Sequence, residues 1–264
     1  MNIKTSYLFF LILCVTLPTK NLFASPYELS FNKELAYLGI GTGISIAAYI
    51  NEHDRNQPSL SEINALDKND IPAFERSIAG RWNQNMHTAS YVVLAAGTLA
   101  PLSFLFLDKK DHLTISLLYA ETLLLSGGGT LLSKAYVTRF RPYVYGENAP
   151  LDERLSIDAK RSFFSGHAAI TSSGLFFTAT VFSDYYPDSR YNTPVWTSAI
   201  VGSLLVAGMR VASGRHFPSD VVVGLIYGSI IGYAVPASHR KKSNFIVIPY
   251  LYDQQSGLTF SKNF

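Results

Sequence analysis

The stretch "LTISLLYAETLLLSGGGTLLS", residues 113–133, holds one charge, Glu121, in 21 residues. As an α-helix it would reach about 31 Å, close to the roughly 30 Å of a bilayer's hydrocarbon core. It is followed at once by "KAYVTRFRP" (134–142), which places Lys134, Arg139 and Arg141 ahead of a helix-stopping Pro142. Similar runs recur. Residues 88–107, 167–183, 191–209 and 221–238 contain no Asp, Glu, Lys or Arg. Gly and Ser within them, as in "SGGGT" (126–130) and "GSIIG" (228–232), suit close helix packing in lipid, with buried helices of a soluble protein as the alternative. These spacings predict an all-α, membrane-embedded bundle of five or six long helices.

Composition agrees. Charged residues make up 16% of the 264-residue chain and AVILMFWYC 48%, so the balance leans toward a membrane. The net charge of +3 is small and dispersed, and no basic patch interleaves with aromatics, so nucleic acid is set aside as a partner. At the N-terminus, Lys4, the apolar "YLFFLILCVTL" and "LFAS" read as a signal peptide over 1–24, with an uncleaved anchor as the alternative. The single cysteine, Cys14, lies inside it, so the mature chain is expected to hold no disulfide.

The remaining boundaries follow. Residues 25–87 read as a short helix and loop region, in which 51–87 is a loop with short helices and a candidate cover for a site. The apolar run 35–50 would span only about 24 Å, so it is expected to lie at the interface or pack on the bundle without crossing. Residues 88–242 form the bundle. In the tail, 243–264, alternation around "DQQSG" predicts a β-hairpin.

Polar residues cluster at three run ends: "KAYVTRFRP" (134–142), "FFSGHAA" (163–169) and "RVASGRHFPSD" (210–220). If the runs are consecutive spans, all three fall on one face. Lys134, Arg141 and Arg210 then meet Ser165, Gly166, His167 and His216. Three cations imply a guest with several anionic oxygens, and the arginine fork matches phosphate. Two imidazoles supply a nucleophile and a proton donor. Asp220, four residues after His216, is placed to accept the hydrogen bond of its second nitrogen. No His/Asp/Glu cluster shows metal-ligand spacing, and neither a metal nor another cofactor is expected.

These residues resemble the three-part signature of the type 2 phosphatidic acid phosphatase superfamily, with the spacing within each part intact. The resemblance covers roughly residues 85–238 and implies His216 as the nucleophile that becomes phosphohistidine. It also implies His167 as general acid, Asp220 as the orienting carboxylate, and Lys134, Arg141, Ser165, Gly166 and Arg210 as the phosphate cradle. Phe164 stands where the second part usually has Pro, and Met209 where the third usually has Ser. Both changes are expected to tune affinity only.

Other residues draw plainer readings. Arg139 and Arg215 lie outside the signature and read as anchors at span ends. His53 and His87 read as surface or loop residues, and the triplet 127–129 as packing. Glu121, ionisable inside an apolar run, is either functional or a hydrogen-bonded structural group. Positive residues in "DKKD" (108–111), Arg190 and "HRKK" (239–242) mark the far face as cytoplasmic. The expected protein is a phosphatase of lipid phosphomonoesters or pyrophosphates at the periplasmic face of a bacterial inner membrane. Phosphatidate-like lipids, undecaprenyl pyrophosphate and lipid A phosphates are candidate substrates. A soluble periplasmic acid phosphatase and a vanadium-dependent haloperoxidase are the rivals.

Overall fold

The computed structural model describes residues 25–52, 56–106, 111–241, 245–252 and 255–262, so the expected signal peptide lies outside the described residues. Six long helices dominate: α1 Phe31–Glu52, α2 Gln84–Leu99, α3 His112–Tyr136, α4 Gly166–Tyr185, α5 Asn192–Ala212 and α6 Pro218–Ser238. The all-α bundle expected from the apolar runs is the architecture observed. In the tail, β1 Phe245–Tyr252 pairs antiparallel with β2 Gln255–Lys262, Phe245 opposite Lys262.

Local chemistry places the helix starts. Asn83 caps α2 by accepting from Met86 N at 3.0 Å. Ser165 caps α4 by accepting from Ala168 N. Pro218 opens α6, where its fixed φ and missing N–H cost nothing. α3 ends as Val137 turns extended, five residues before Pro142.

The bundle carries hydroxyls inside its apolar core and is apolar outside. Buried hydroxyls of Thr122, Thr130, Ser172 and Ser203 each donate to the carbonyl one turn back, at 2.7–2.8 Å, so they need no water. By contrast Val92, Leu131, Ile200, Leu204, Val222, Ile226 and Ile230 point outward. Such an apolar belt belongs against lipid. Among the described residues, four helical stretches, Gln84–Leu105, His112–Tyr136, Asn192–Ala212 and Pro218–Ser238, are long and apolar enough to cross a membrane.

Glycine brings α6 against α4. A Cβ at Gly224, Gly228 or Gly232 would sit 2.6, 2.0 and 2.3 Å from the carbonyl oxygens of Ser165, Ala169 and Ser173, so the stripe lets the two backbones touch.

α1 packs on the bundle, one of the two placements expected for the run 35–50. It extends beyond the apolar run 35–50 to 22 residues, about 33 Å, and packs lengthwise and parallel to α3. Gly41 meets Leu124, Ser45 meets Gly128 and Asn51 donates to the Tyr136 hydroxyl, so the two helices keep one register. Small residues at the contact explain it: they let the helices approach where apolar length alone predicted a shorter element.

Candidate active site

The three polar segments converge at one end of the bundle, held by main-chain contacts. Ser133 Oγ donates to Phe163 O at 3.1 Å and accepts from Phe164 N at 3.2 Å, joining the first segment to the second. Ser165 N donates to Asp220 O at 3.0 Å, joining the second to the third. Arg141 Nη1 donates to Arg215 O at 3.3 Å and Tyr143 N to Gly214 O at 3.1 Å, joining the first to the third. Lys134, Arg141, Ser165, Gly166, His167, Arg210, His216 and Asp220 are therefore gathered at this end.

Gly214 makes the turn that delivers His216. Its φ is +72°, and a Cβ there would lie 1.8 Å from Arg81 O. Gly214→Ala is expected to cost about 3 kcal/mol or more and to lower activity with it. Unfolding in detergent, compared with wild type, measures the loss.

His216 is 1% exposed, and its Nδ1 lies 2.7 Å from Ser162 O. A carbonyl only accepts, so Nδ1 carries the proton and Nε2 the lone pair. The expected direct bond to Asp220 is not formed: Nδ1 is 3.9 Å from Asp220 Oδ2. The reason is local. His216 precedes α6, whereas Asp220 sits in its first turn and caps it, accepting from Phe217 N at 2.8 Å. The i,i+4 spacing brings side chains together only when both ends are helical. Asp220 instead accepts from Ser162 Oγ at 2.6 Å, so the carboxylate positions the serine whose carbonyl orients the imidazole.

Burial, reinforced by Arg141, Arg210 and Lys134, pushes the His216 pKa well below the usual imidazole value, against an opposing pull from the Ser162 carbonyl. The neutral, nucleophilic form therefore persists below pH 6.5. The acid limb of kcat/KM due to this group is expected below that pH, measured with two esters of different phosphate pKa to separate substrate ionisation. The stability sign follows. An unfolded His216 takes up a proton near pH 6.5 while the folded one does not, so this group's contribution is full above that pH and is lost as pH falls below it.

The cations are buried and only partly engaged. Arg141, 3% exposed, donates to Asp158 O at 2.8 Å and Asp158 Oδ1 at 2.7 Å. Arg210, 2% exposed, donates from Nη1 to His87 Nδ1 at 2.7 Å and to Ser90 Oγ at 3.1 Å, while its Nε has no partner. Lys134 forms no hydrogen bond or ion pair among the described residues. His167 lies in the first turn of α4, with its buried Nε2 unpartnered and its ring edge-on to Tyr91 at 4.7 Å. Tyr91 in turn meets His87 at 5.1 Å. Gly166 has no room for a side chain, since a Cβ would lie 2.9 Å from Thr130 Cγ2.

Three plainer readings are corrected. His87 is no loop residue: it sits on α2 as the acceptor for Arg210, while His53 lies outside the described residues. Arg215 is no anchor: it is 3% exposed, donates to both Glu153 oxygens at 2.9 and 3.1 Å, and stacks on Trp82 and Tyr143. Arg139 bridges Asp220 and the fully buried Glu75, and Glu75 also accepts from Ser219 N at 2.8 Å. Glu75 lies in the 51–87 connection, which thereby packs onto the site. Arg139 was flagged in the sequence by its place between Lys134 and Arg141. Nothing in the sequence singled out Glu75, Ser90, Glu153, Asp158 or Ser162.

A helical membrane protein that surrounds a neutral imidazole with under-engaged cations belongs with enzymes of phosphoryl transfer. Residues 115–244, which include all three segments, match the PAP2 superfamily, in line with the resemblance of those segments. No curated protein matches the chain. Among solved structures it is similar to a transmembrane PAP2-type phosphatidylglycerolphosphate phosphatase from Bacillus subtilis. The identity is 22%, the TM-score 0.39, and the match covers 88% of this chain and 92% of that one. At that score the likeness carries no argument about this chain.

Proposed function

We propose that the protein hydrolyses a phosphomonoester or pyrophosphate on a lipid, through a phosphohistidine on His216, at the outer face of a bacterial inner membrane. One observation carries the reading: among the described residues the buried Arg210 Nε has no partner and no hydrogen bond or ion pair engages Lys134, beside an imidazole whose lone pair is on Nε2. Buried cations with spare donors call for an anion.

In the proposed reaction Lys134, Arg141, Arg210 and the start of α4 at Ser165 and Gly166 hold the phosphoryl oxygens. His216 Nε2 bonds to phosphorus as the bond to the leaving oxygen breaks, and His167 protonates that oxygen. The bound phosphate's negative charge favours the imidazolium that this step needs. Water, deprotonated by His167, then attacks phosphorus as the bond to His216 Nε2 breaks, which releases phosphate and restores the imidazole lone pair. No metal or cofactor enters these steps.

The outward apolar belt favours a lipid over a soluble ester, because a lipid tail can stay in the bilayer while its head reaches the cations. Phosphate release from a panel of phosphatidate-like, undecaprenyl pyrophosphate and lipid A substrates tests this. Release from none of them, with rapid cleavage of small esters by detergent-free protein, would favour the soluble acid phosphatase. Bromination of a dye with peroxide and vanadate would favour the haloperoxidase.

The outward orientation rests on charge. The short connections that carry Lys109, Lys110, Arg190 and the 239–242 group are taken as the inner face. Ser25 reaches Tyr185, at the end of α4 opposite the site, so a leader cleaved outside and an outward site exclude each other. Reporter-phosphatase fusions are expected to be active after Asn148 and silent after Lys110. Activity of the Lys110 fusion alone rejects this orientation.

A further inference from the structure

Glu34, Glu121 and His239 meet at the end of the bundle opposite the phosphate site, contributed by α1, α3 and the residue that ends α6. The sequence shows no such cluster, because these residues lie 87 and 118 positions apart. One potential ligand atom from each lies within 4.8 Å of the other two. His239 Nε2 is 3.3 Å from Glu34 Oε1 and 3.8 Å from Glu121 Oε2, near the roughly 3.3 Å edge of a tetrahedron with 2.0–2.1 Å bonds.

The hydrogen bonding is incomplete in one direction. His239 Nδ1 lies 2.8 Å from Val235 O, so it carries the proton and a neutral ring aims its Nε2 lone pair at two carboxylates. His239 and Glu121 are fully buried, and Nε2 and both Glu121 oxygens have no hydrogen-bond partner. Lone pairs facing one another in a dry interior repel unless a cation or a proton lies between them. Among the described residues no Lys or Arg pairs with either carboxylate: Lys33 donates to Ser238 O, and Arg240 pairs with Asp184. A backbone carbonyl on the other ring nitrogen is also the usual support for a metal-ligating histidine.

We propose that Glu34, Glu121 and His239 bind a divalent transition-metal ion of the zinc class, which ties α1 to α3 and α6. One imidazole with two carboxylates suits zinc better than magnesium, which prefers all-oxygen, hydrated sites. The ion also neutralises a carboxylate inside an apolar helix, where it is otherwise costly. Its role is structural, remote from the phosphate chemistry.

The test uses the full-length protein in detergent, stripped with chelator, incubated with Zn²⁺ at micromolar concentration and desalted. About one zinc per chain is expected, and the same in His216→Ala, which separates this site from the histidines of the phosphate pocket. Glu121→Gln is expected to retain under a tenth of that. Because Glu121 is buried, Glu34→Gln at the partly exposed rim serves as a second variant, with the same loss expected. Zinc should raise the Tm of wild type by about 5 °C and leave that of Glu121→Gln unchanged. Equal zinc in wild type and both variants, or none in wild type, overturns the proposal. So does a Glu121→Gln protein that matches zinc-loaded wild type in stability without metal, which would mean that the cluster holds a proton instead.

Discussion

His216→Ala is expected to lower kcat for lipid phosphate release by about 10⁴-fold or more, because His216 Nε2 is the atom proposed to bond to phosphorus. Acid-quenched label from a ³²P-substrate should appear on histidine in wild type and be absent in this variant. His167→Ala separates the two imidazoles. With a lipid leaving group, which needs a proton, its kcat should fall about 10²- to 10⁴-fold. With p-nitrophenyl phosphate, whose leaving group departs unaided, formation of the phosphoenzyme should be much less affected, so label should accumulate. Undiminished phosphate release by His216→Ala would remove the mechanism, and equal losses of His167→Ala on both substrates would remove its role as acid.

The second large effect is expected at a residue whose sequence position suggested only a membrane anchor. Arg139→Met leaves Glu75 and Asp220, with side chains 1% and 0% exposed, facing each other without their shared cation. Breaking such a buried pair costs about 3–5 kcal/mol, against about 0.5 kcal/mol or less for an exposed anchor. Activity should fall as well, because Asp220 holds Ser162, and the Ser162 carbonyl orients His216. Denaturant unfolding of the purified protein measures the first effect. The Glu75→Gln/Arg139→Met double variant is expected to recover part of the loss by removing one stranded charge. A single variant as stable as wild type would show that Arg139 is not structural.

Much of the bundle could be read from uncharged runs of bilayer length, because the length and polarity of a lipid-facing helix are local properties. The convergence of Lys134, Arg141, Ser165, Gly166, His167, Arg210 and His216 followed from counting crossings, since each crossing returns the chain to a known side. Helix α1 was legible only in part, as its contact with α3 depends on Gly41 and Gly128 meeting at one level.

What the linear order determined by itself is the repeated apolar length and the three polar segments with their internal spacing, which bring the chain to one membrane boundary again and again. Only the tertiary structure decided that a Ser162 carbonyl, and not Asp220, accepts the hydrogen bond of His216 Nδ1–H, that Glu75 shares Arg139, and that Glu34, Glu121 and His239 meet. The physical reason is reach. Spacing along the chain dictates geometry within a turn or two of helix, whereas these partners are 54 to 205 residues apart and meet only where packing of the helices and their connections brings them together.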